Sequence, residues 1–177
     1  MHQNTTLIEE QTEKVGYLKI SKRTFKFSDD SARDFCVYNQ SEVVLIFTLT
    51  KANEVVLVRQ FRPGPARVTN ELPAGKVDAN EDPLSSAKRE LMEETGYTGN
   101  FSYIGSSYAG PNSTGIHHVF SCTEAYRVNE QNLEEYENIE IVVQPLKEFL
   151  ETINKGEIQV TSCVFMALYS LGIEKSS

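Results

Sequence analysis

The chain has 177 residues, enough for one domain with a substantial core and a short appendage. With 40% hydrophobic and 24% charged residues the composition is globular, which excludes disorder as the default state. The formal net charge of −8 excludes the basic surface that nucleic-acid binding requires, so no nucleic-acid partner is expected. Cys36, Cys122 and Cys163 lie far apart with no CxxC pair, a pattern of free thiols in a reducing compartment rather than a disulfide framework or zinc site. Residues Met1 to Val15 are polar, and no stretch approaches the roughly 18 apolar residues of a membrane span. A cytoplasmic chain with no membrane partner is therefore expected.

Alternation of apolar and polar residues over Tyr17 to Phe27 predicts a strand, and SDDSA turns the chain toward a second one at Asp34 to Tyr38. So small a pair cannot stand alone. Residues 1–40 are accordingly read as an N-terminal β extension packed on the main body or on a partner subunit, and 41–177 as the main domain. Glu42 to Thr50 and Glu54 to Phe61 are rich in Val and Leu and form a hairpin across KANE. Pro63, Gly64 and Pro65 then force a loop, and Asn70 to Leu72 returns as a brief strand. A helix is predicted over Pro83 to Thr95. Asp82 suits its N-cap, Pro83 its first position and Gly96 a left-handed stop, while Leu84, Ala87 and Leu91 make an apolar stripe. Strands follow near Phe101 to Tyr108 and Gly115 to Glu124, then an acidic loop and a strand at Ile139 to Val143. Pro145 opens a helix that Gly156 closes. Thr161 or Ser162 caps a last helix with Val164, Ala167, Leu168 and Leu171 on one side. Strands and helices interleave without a regular βαβ rhythm, which points to an α/β fold of the α+β kind, a mixed sheet sandwiched between helices.

The chemistry is concentrated in Gly75 to Tyr97, GKVDANEDPLSSAKRELMEETGY. Glu90 and Glu94 are four residues apart, so they share one flank of the helix beside the apolar stripe. Like charges held so close at a partly desolvated edge need a cation to offset them. Hard oxygen donors suit Mg²⁺ or Mn²⁺ rather than zinc, and bound divalent ions would make an anionic ligand welcome on an acidic protein. Arg89 and Glu93 are also four apart, so Arg89 can orient a neighbouring carboxylate. Gly75 permits close backbone approach, and a nearby carbonyl, that of Ala74, could complete a metal shell. RELMEE taken alone reads as a solvated helix face. With Gly75, Glu81 and Gly96 also in register, that reading gives way.

These residues resemble a complete Nudix box, a pattern of nine positions over twenty-three residues, with Tyr97 standing where a bulky aliphatic residue is usual. The resemblance implies the Nudix fold over most of the chain and hydrolysis of a nucleoside diphosphate linked to another moiety, with two or three Mg²⁺ ions (or Mn²⁺). It implies Glu90, Glu94, Glu93 and the Ala74 carbonyl as metal ligands, with Glu93 and Arg89 among the catalytic residues. The flanking VRQFRPGPARVTNELPAGKVD is similar to ADP-ribose pyrophosphatases. That likeness implies Arg62 as a phosphate-facing residue, Glu71 as its holder or a substrate contact, and Pro111, fifteen residues beyond Gly96, as a substrate contact. Asn112 stands where that branch has glycine, and no acid follows until Glu124, so the substrate stays open.

LEEYENIEIVV resembles the loop that supplies the base in this branch. Glu135 is then the base, Glu137 a further metal ligand, and Glu134 the rival if the alignment slips. The reaction implied is in-line attack of water on one phosphorus, which for ADP-ribose releases AMP and ribose 5-phosphate. Other substrates are GDP-mannose, another sugar nucleotide or a dinucleoside polyphosphate. A non-catalytic nucleotide-sensing domain is a further alternative. The resemblance also implies a homodimer in which the N-terminal strands are exchanged. His117 and His118 are adjacent in a strand, point to opposite faces and are not expected as ligands. Cys122, Cys163 and Phe35 are expected in the core.

Overall fold

A computed structural model describes residues 5–135, 137–159 and 161–173. The chain forms two compact units, one of residues up to Glu42 together with Tyr108–Ile116, the other of Val43–Ser107 and His117 onward. The segment around Pro111 thus belongs with the N-terminal strands.

In the first unit, β1 (Thr6–Val15), β2 (Leu18–Lys26) and β3 (Ala32–Asn39) form an antiparallel sheet in the order β1-β2-β3. Gly16, at φ +62°, takes the first place of the two-residue turn between Val15 and Leu18. Every residue of β1 is exposed. With neither face buried it carries no hydrophobic alternation, and the sequence reading therefore did not anticipate it. Polar cross-strand pairs hold the sheet: Arg23 to Glu10 at 2.8 Å, Lys22 to Asp34 at 2.8 Å, and Thr12 to Ser21 at 2.7 Å. Phe35, expected in the core, is instead 39% exposed, its ring 5.8 Å from that of Phe25. The neighbours its sheet gives it are the rings of Phe25 and Phe27. Pro111 occupies a turn closed by Ser113 N–H donating to Gly110 O, and the segment is bonded to β3 through Tyr38 N–H to Asn112 O and Thr114 N–H to Tyr38 O.

The second unit holds β4 (Val43–Thr50), β5 (Glu54–Arg62), β6 (Arg67–Glu71), β7 (Ala74–Lys76), α1 (Pro83–Thr95), β8 (Tyr97–Tyr108), β9 (Ile116–Arg127), β10 (Glu140–Pro145), α2 (Leu146–Asn154) and α3 (Thr161–Ser170). The sheet runs β10-β5-β4-β9-β8, with β6 on β5 and β7 on β4; β4 and β9 are parallel and β4–β5 antiparallel, so it is mixed. Side-chain alternation along β4 sorts the two faces. Val44 and Ile46 join Ala87 and Leu91 of α1, together with Phe120 and Cys122 of β9. Leu45 and Phe47 join Val55, Leu57, Phe149 of α2 and Val164, Ala167 and Leu168 of α3. The sheet is sandwiched between helices, as expected, and Cys122 and Cys163 are core residues.

Helix α1 has the predicted ends. Asp82 accepts from Leu84 N–H and Ser85 N–H, and Gly96 sits at φ 71° with its N–H on Met92 O. Its apolar stripe is shorter than expected, because Leu84 is 38% exposed in the first turn, while Ser86 and Thr95 are buried. Thr161 is the first residue of α3, not its cap.

The sheet splits where the site forms. β5 pairs with β4 only at Val55 and Val56, then continues along β6 as far as Arg62. The vacated edge of β4 is taken by β7, with Val43 to Leu45 opposite Lys76 to Ala74, and Pro73 O accepts from Ile46 N–H at 2.9 Å.

Candidate active site

A cleft of about 500 Å³ lies at this split. Its walls are Gln60 and Arg62 of β5, Ala74 to Lys76 of β7, Arg89, Glu90, Glu93 and Glu94 of α1, and Glu134 and Glu137 of the acidic loop. Gly75 is glycine for reasons of space. A Cβ there would stand 1.9 Å from Cδ of Glu90, so the carboxylate lies directly on the β7 backbone. One turn on, Glu94 is 4% exposed and its Oε2 accepts from Ala74 N–H at 2.9 Å. Desolvation pushes the Glu94 carboxyl up to about 8, the Ala74 N–H opposes the shift, and the charges of Glu90 and Glu137 add to it. Burial also raises Glu90, against the pull of Arg89.

Arg89 binds several of these carboxylates at once. It donates to Glu81 at 3.0 Å, Glu90 at 2.8 Å, Glu93 at 3.0 Å and the carbonyl of Lys76 at 3.2 Å. Glu81 is braced by Ser86 Oγ at 2.6 Å, and its carboxyl is held below the usual range chiefly by Arg89. Across the cleft Arg62 is gripped by Glu71 through two bonds, Nε to Oε1 at 2.8 Å and Nη2 to Oε2 at 2.5 Å. The buried Thr69 hydroxyl donates to the same carboxylate at 2.6 Å. Glu71 therefore sets the plane of a guanidinium that lines the cleft and keeps 43% of its side chain exposed.

The structure brings together Arg62, Glu71, Ala74, Arg89, Glu90, Glu93, Glu94 and Glu137 of the predicted site residues. Pro111 lies in the other unit. Glu135 is exposed and does not line the cleft, whereas its rival Glu134 does. His117 lies 3.8 Å from Cys163 Sγ, the ring of His118 is 6.2 Å from that of Tyr103, and neither histidine lines the cleft. Gln60, Lys76 and Asp78 line it without having been anticipated. The signal was available: Gln60 is two residues from Arg62 on one strand, and Lys76 is two from Ala74.

Asp78 and five glutamates face three cationic side chains, Arg62, Lys76 and Arg89, so the cleft is short of positive charge. Its donors are oxygens suited to hard divalent ions, and the hollow over Gly75 keeps the Glu90 carboxylate at the backbone. Among the described residues no three carboxylates, cysteines or histidines converge tightly enough to ligate one ion as they stand. Arg89 holds Glu90 and Glu93, and the Ala74 N–H holds Glu94. The donor chemistry fits a divalent ion.

Residues 39–162 match the NUDIX domain family. The ADP-ribose pyrophosphatase of Bacillus subtilis (strain 168) is 32% identical over 129 residues, covering 71% of this chain and 70% of that protein. The GDP-mannose pyrophosphatase of Escherichia coli (strain K12) is 28% identical over 185 residues, covering 96% of each. The crystal structure of an ADP compounds hydrolase matches with a TM-score of 0.79 over 97% of this chain and 98% of that one. At 17% identity this last likeness bears on the fold alone.

Proposed function

The chain belongs to the NUDIX domain family and is a hydrolase, and from that premise we propose that it cleaves the diphosphate of a nucleoside diphosphate sugar, ADP-ribose first among them, to AMP and ribose 5-phosphate. One observation carries the reading: a buried glutamate, Glu94, and a half-buried one a helical turn before it, Glu90, both raised by desolvation, open on a cleft whose far wall is an arginine fixed by a carboxylate. Buried acids of that kind create a demand for cations, and cations together with Arg62 create a place for diphosphate.

Nudix hydrolases generally use divalent metal ions. Here Glu90, Glu93, Glu94 and the Ala74 carbonyl would hold them, with Glu137 in support, and we assign Mg²⁺ or Mn²⁺. When bound, such ions neutralise the diphosphate and ease deprotonation of water. Arg62, kept in plane by Glu71, binds phosphate oxygens and stabilises the departing phosphate. Arg89 keeps Glu90 and Glu93 oriented. A loop carboxylate accepts the proton of the water that forms the new P–O bond as the bridging P–O bond breaks. The resemblance of the loop favours Glu135 as that acceptor, and the cleft favours Glu134 or Glu137. Comparing the three Glu→Gln variants decides it, and full activity in all three discards the loop as the source of the base.

A second reading, GDP-mannose cleaved to GMP and mannose 1-phosphate, is favoured by the relative that aligns along 96% of the chain. We also propose a homodimer in the cytoplasm. Incubation with ADP-ribose, GDP-mannose or a dinucleoside polyphosphate, each with Mg²⁺ or Mn²⁺ and with chelator, tests both readings by release of nucleoside monophosphate. Metal-dependent release from ADP-ribose is expected, reduced by about 10²–10³-fold or more in Glu94→Gln. No release from any of them, or equal release by Glu94→Gln, overturns the proposal.

A further inference from the structure

The acidic loop and the carboxylate helix meet at a joint that the proposed chemistry does not by itself account for. A helix ends with unpaired carbonyls, and those of α1 are taken up in sequence by the chain that leads into the loop. Gly96 O accepts from Val128 N–H at 2.9 Å, and Glu93 O from Asn132 N–H at 2.9 Å. Between them, Glu94 O accepts from the side-chain amide of Gln131 at 2.7 Å. The same nitrogen donates at 3.2 Å to Ile139 O, just before β10 begins. One side chain thus bridges both ends of residues 132–138 and fastens them to the backbone of Glu94.

Inside that neck Glu137 N–H donates to Glu134 O and Glu134 N–H to the Glu137 carboxylate, each at 3.0 Å. The two glutamates are therefore coupled to each other. We propose that Gln131 is a positioning residue, whose amide closes the neck of loop 132–138 on the C-terminal turn of α1 and so sets where Glu134 and Glu137 stand relative to Glu90 and Glu94. This rests on the proposed function for its catalytic meaning. The tether itself does not.

Two variants of similar length separate the possibilities. Gln131→Leu keeps the bulk and removes both donors. Gln131→Lys keeps a multiple donor at nearly the same reach, with a charge suited to a helix C-terminus. Native-state hydrogen exchange on the full chain without added metal reads the tether directly. Exchange in residues 133–139 should accelerate in Gln131→Leu while α1 and β4 keep wild-type protection, and should return toward wild type in Gln131→Lys. In steady-state hydrolysis kcat should fall by about 10- to 100-fold in Gln131→Leu, with KM within about 2- to 3-fold because Arg62 is untouched, and should recover in part in Gln131→Lys. Loop exchange at the wild-type rate in Gln131→Leu overturns the inference whatever the activity, and so does a loss that falls on KM alone. A wild-type protein that hydrolyses none of the nucleotides overturns the proposed function instead, and the exchange measurement still decides the tether.

Discussion

Glu94 is 4% exposed and bonded to one backbone N–H, and its carboxyl is pushed up to about 8. The folded chain therefore keeps a proton that the unfolded chain has already lost above about 4.5. A carboxyl raised in this way contributes most favourably at low pH, and its contribution drains away as pH rises from about 4.5 to about 8. Glu90 is raised by burial and acts with the same sign. Glu81 and Asp82 are held low by bonds to Arg89 and Ser85, so their contributions are lost on acidification instead. We predict that without metal the wild type loses thermal stability across the window from about pH 5 to about pH 8. Glu94→Gln should show a shallower slope, and Mg²⁺ should restore the wild type most at the alkaline end, where the ionised form is available to bind it. Equal slopes in melting temperature against pH would contradict the burial argument. Gly75 gives a sharper test. A methyl there displaces the end of a flexible glutamate and no backbone, so Gly75→Ala should cost less than about 2 kcal/mol by denaturant titration. Its kcat should nevertheless fall by about 10- to 100-fold as Glu90 leaves its place.

The two ends of helix α1 were legible because their signals are local. An aspartate cap, a proline at the first position, and a glycine at the αL stop all act within a few residues. Asp82→Ala should lower stability by about 1 kcal/mol in a urea titration. Asp82 does not line the cleft, so kcat should be unchanged. Strands were legible in proportion to how much apolar surface they bury. β4, with a buried run of Val44 to Thr48, was read almost to its ends. β1 was not read at all, because both its faces meet solvent, and the three residues of β7 are too few to alternate. Leu84 was assigned to the apolar stripe by spacing, and the first turn of α1 leaves it exposed.

At the scale of the molecule, a formal charge of −8 sets an acidic protein against an anionic substrate, and bound cations are the proposed remedy; chelator should abolish hydrolysis while leaving the fold. The N-terminal unit raises a different question. Val37 is the one buried hydrophobic among its described residues, while Leu7, Ile8, Val15 and Tyr17 are exposed. A three-stranded sheet with so little core is marginal by itself. We predict a light-scattering mass of twice the chain across micromolar concentrations. A monomer at all of them would remove the proposed dimer.

Sequence alone determined the helix, its caps, the register of Glu90, Arg89, Glu93 and Glu94 upon it, and the Val- and Leu-rich hairpin of the central sheet. Each of these follows from spacing along the chain. Tertiary structure decided what depends on residues far apart in sequence. β5 leaves β4 after Val56 and opens the cleft, Glu71 meets Arg62, and Glu94 is dehydrated beneath the Ala74 backbone. It also decided that Glu134 and Glu137, rather than Glu135, line the cleft, because a loop has no period by which its side chains can be assigned in advance. Desolvation is a property of the packed whole, so the charge state of Glu94 could not be read from its neighbours in the chain.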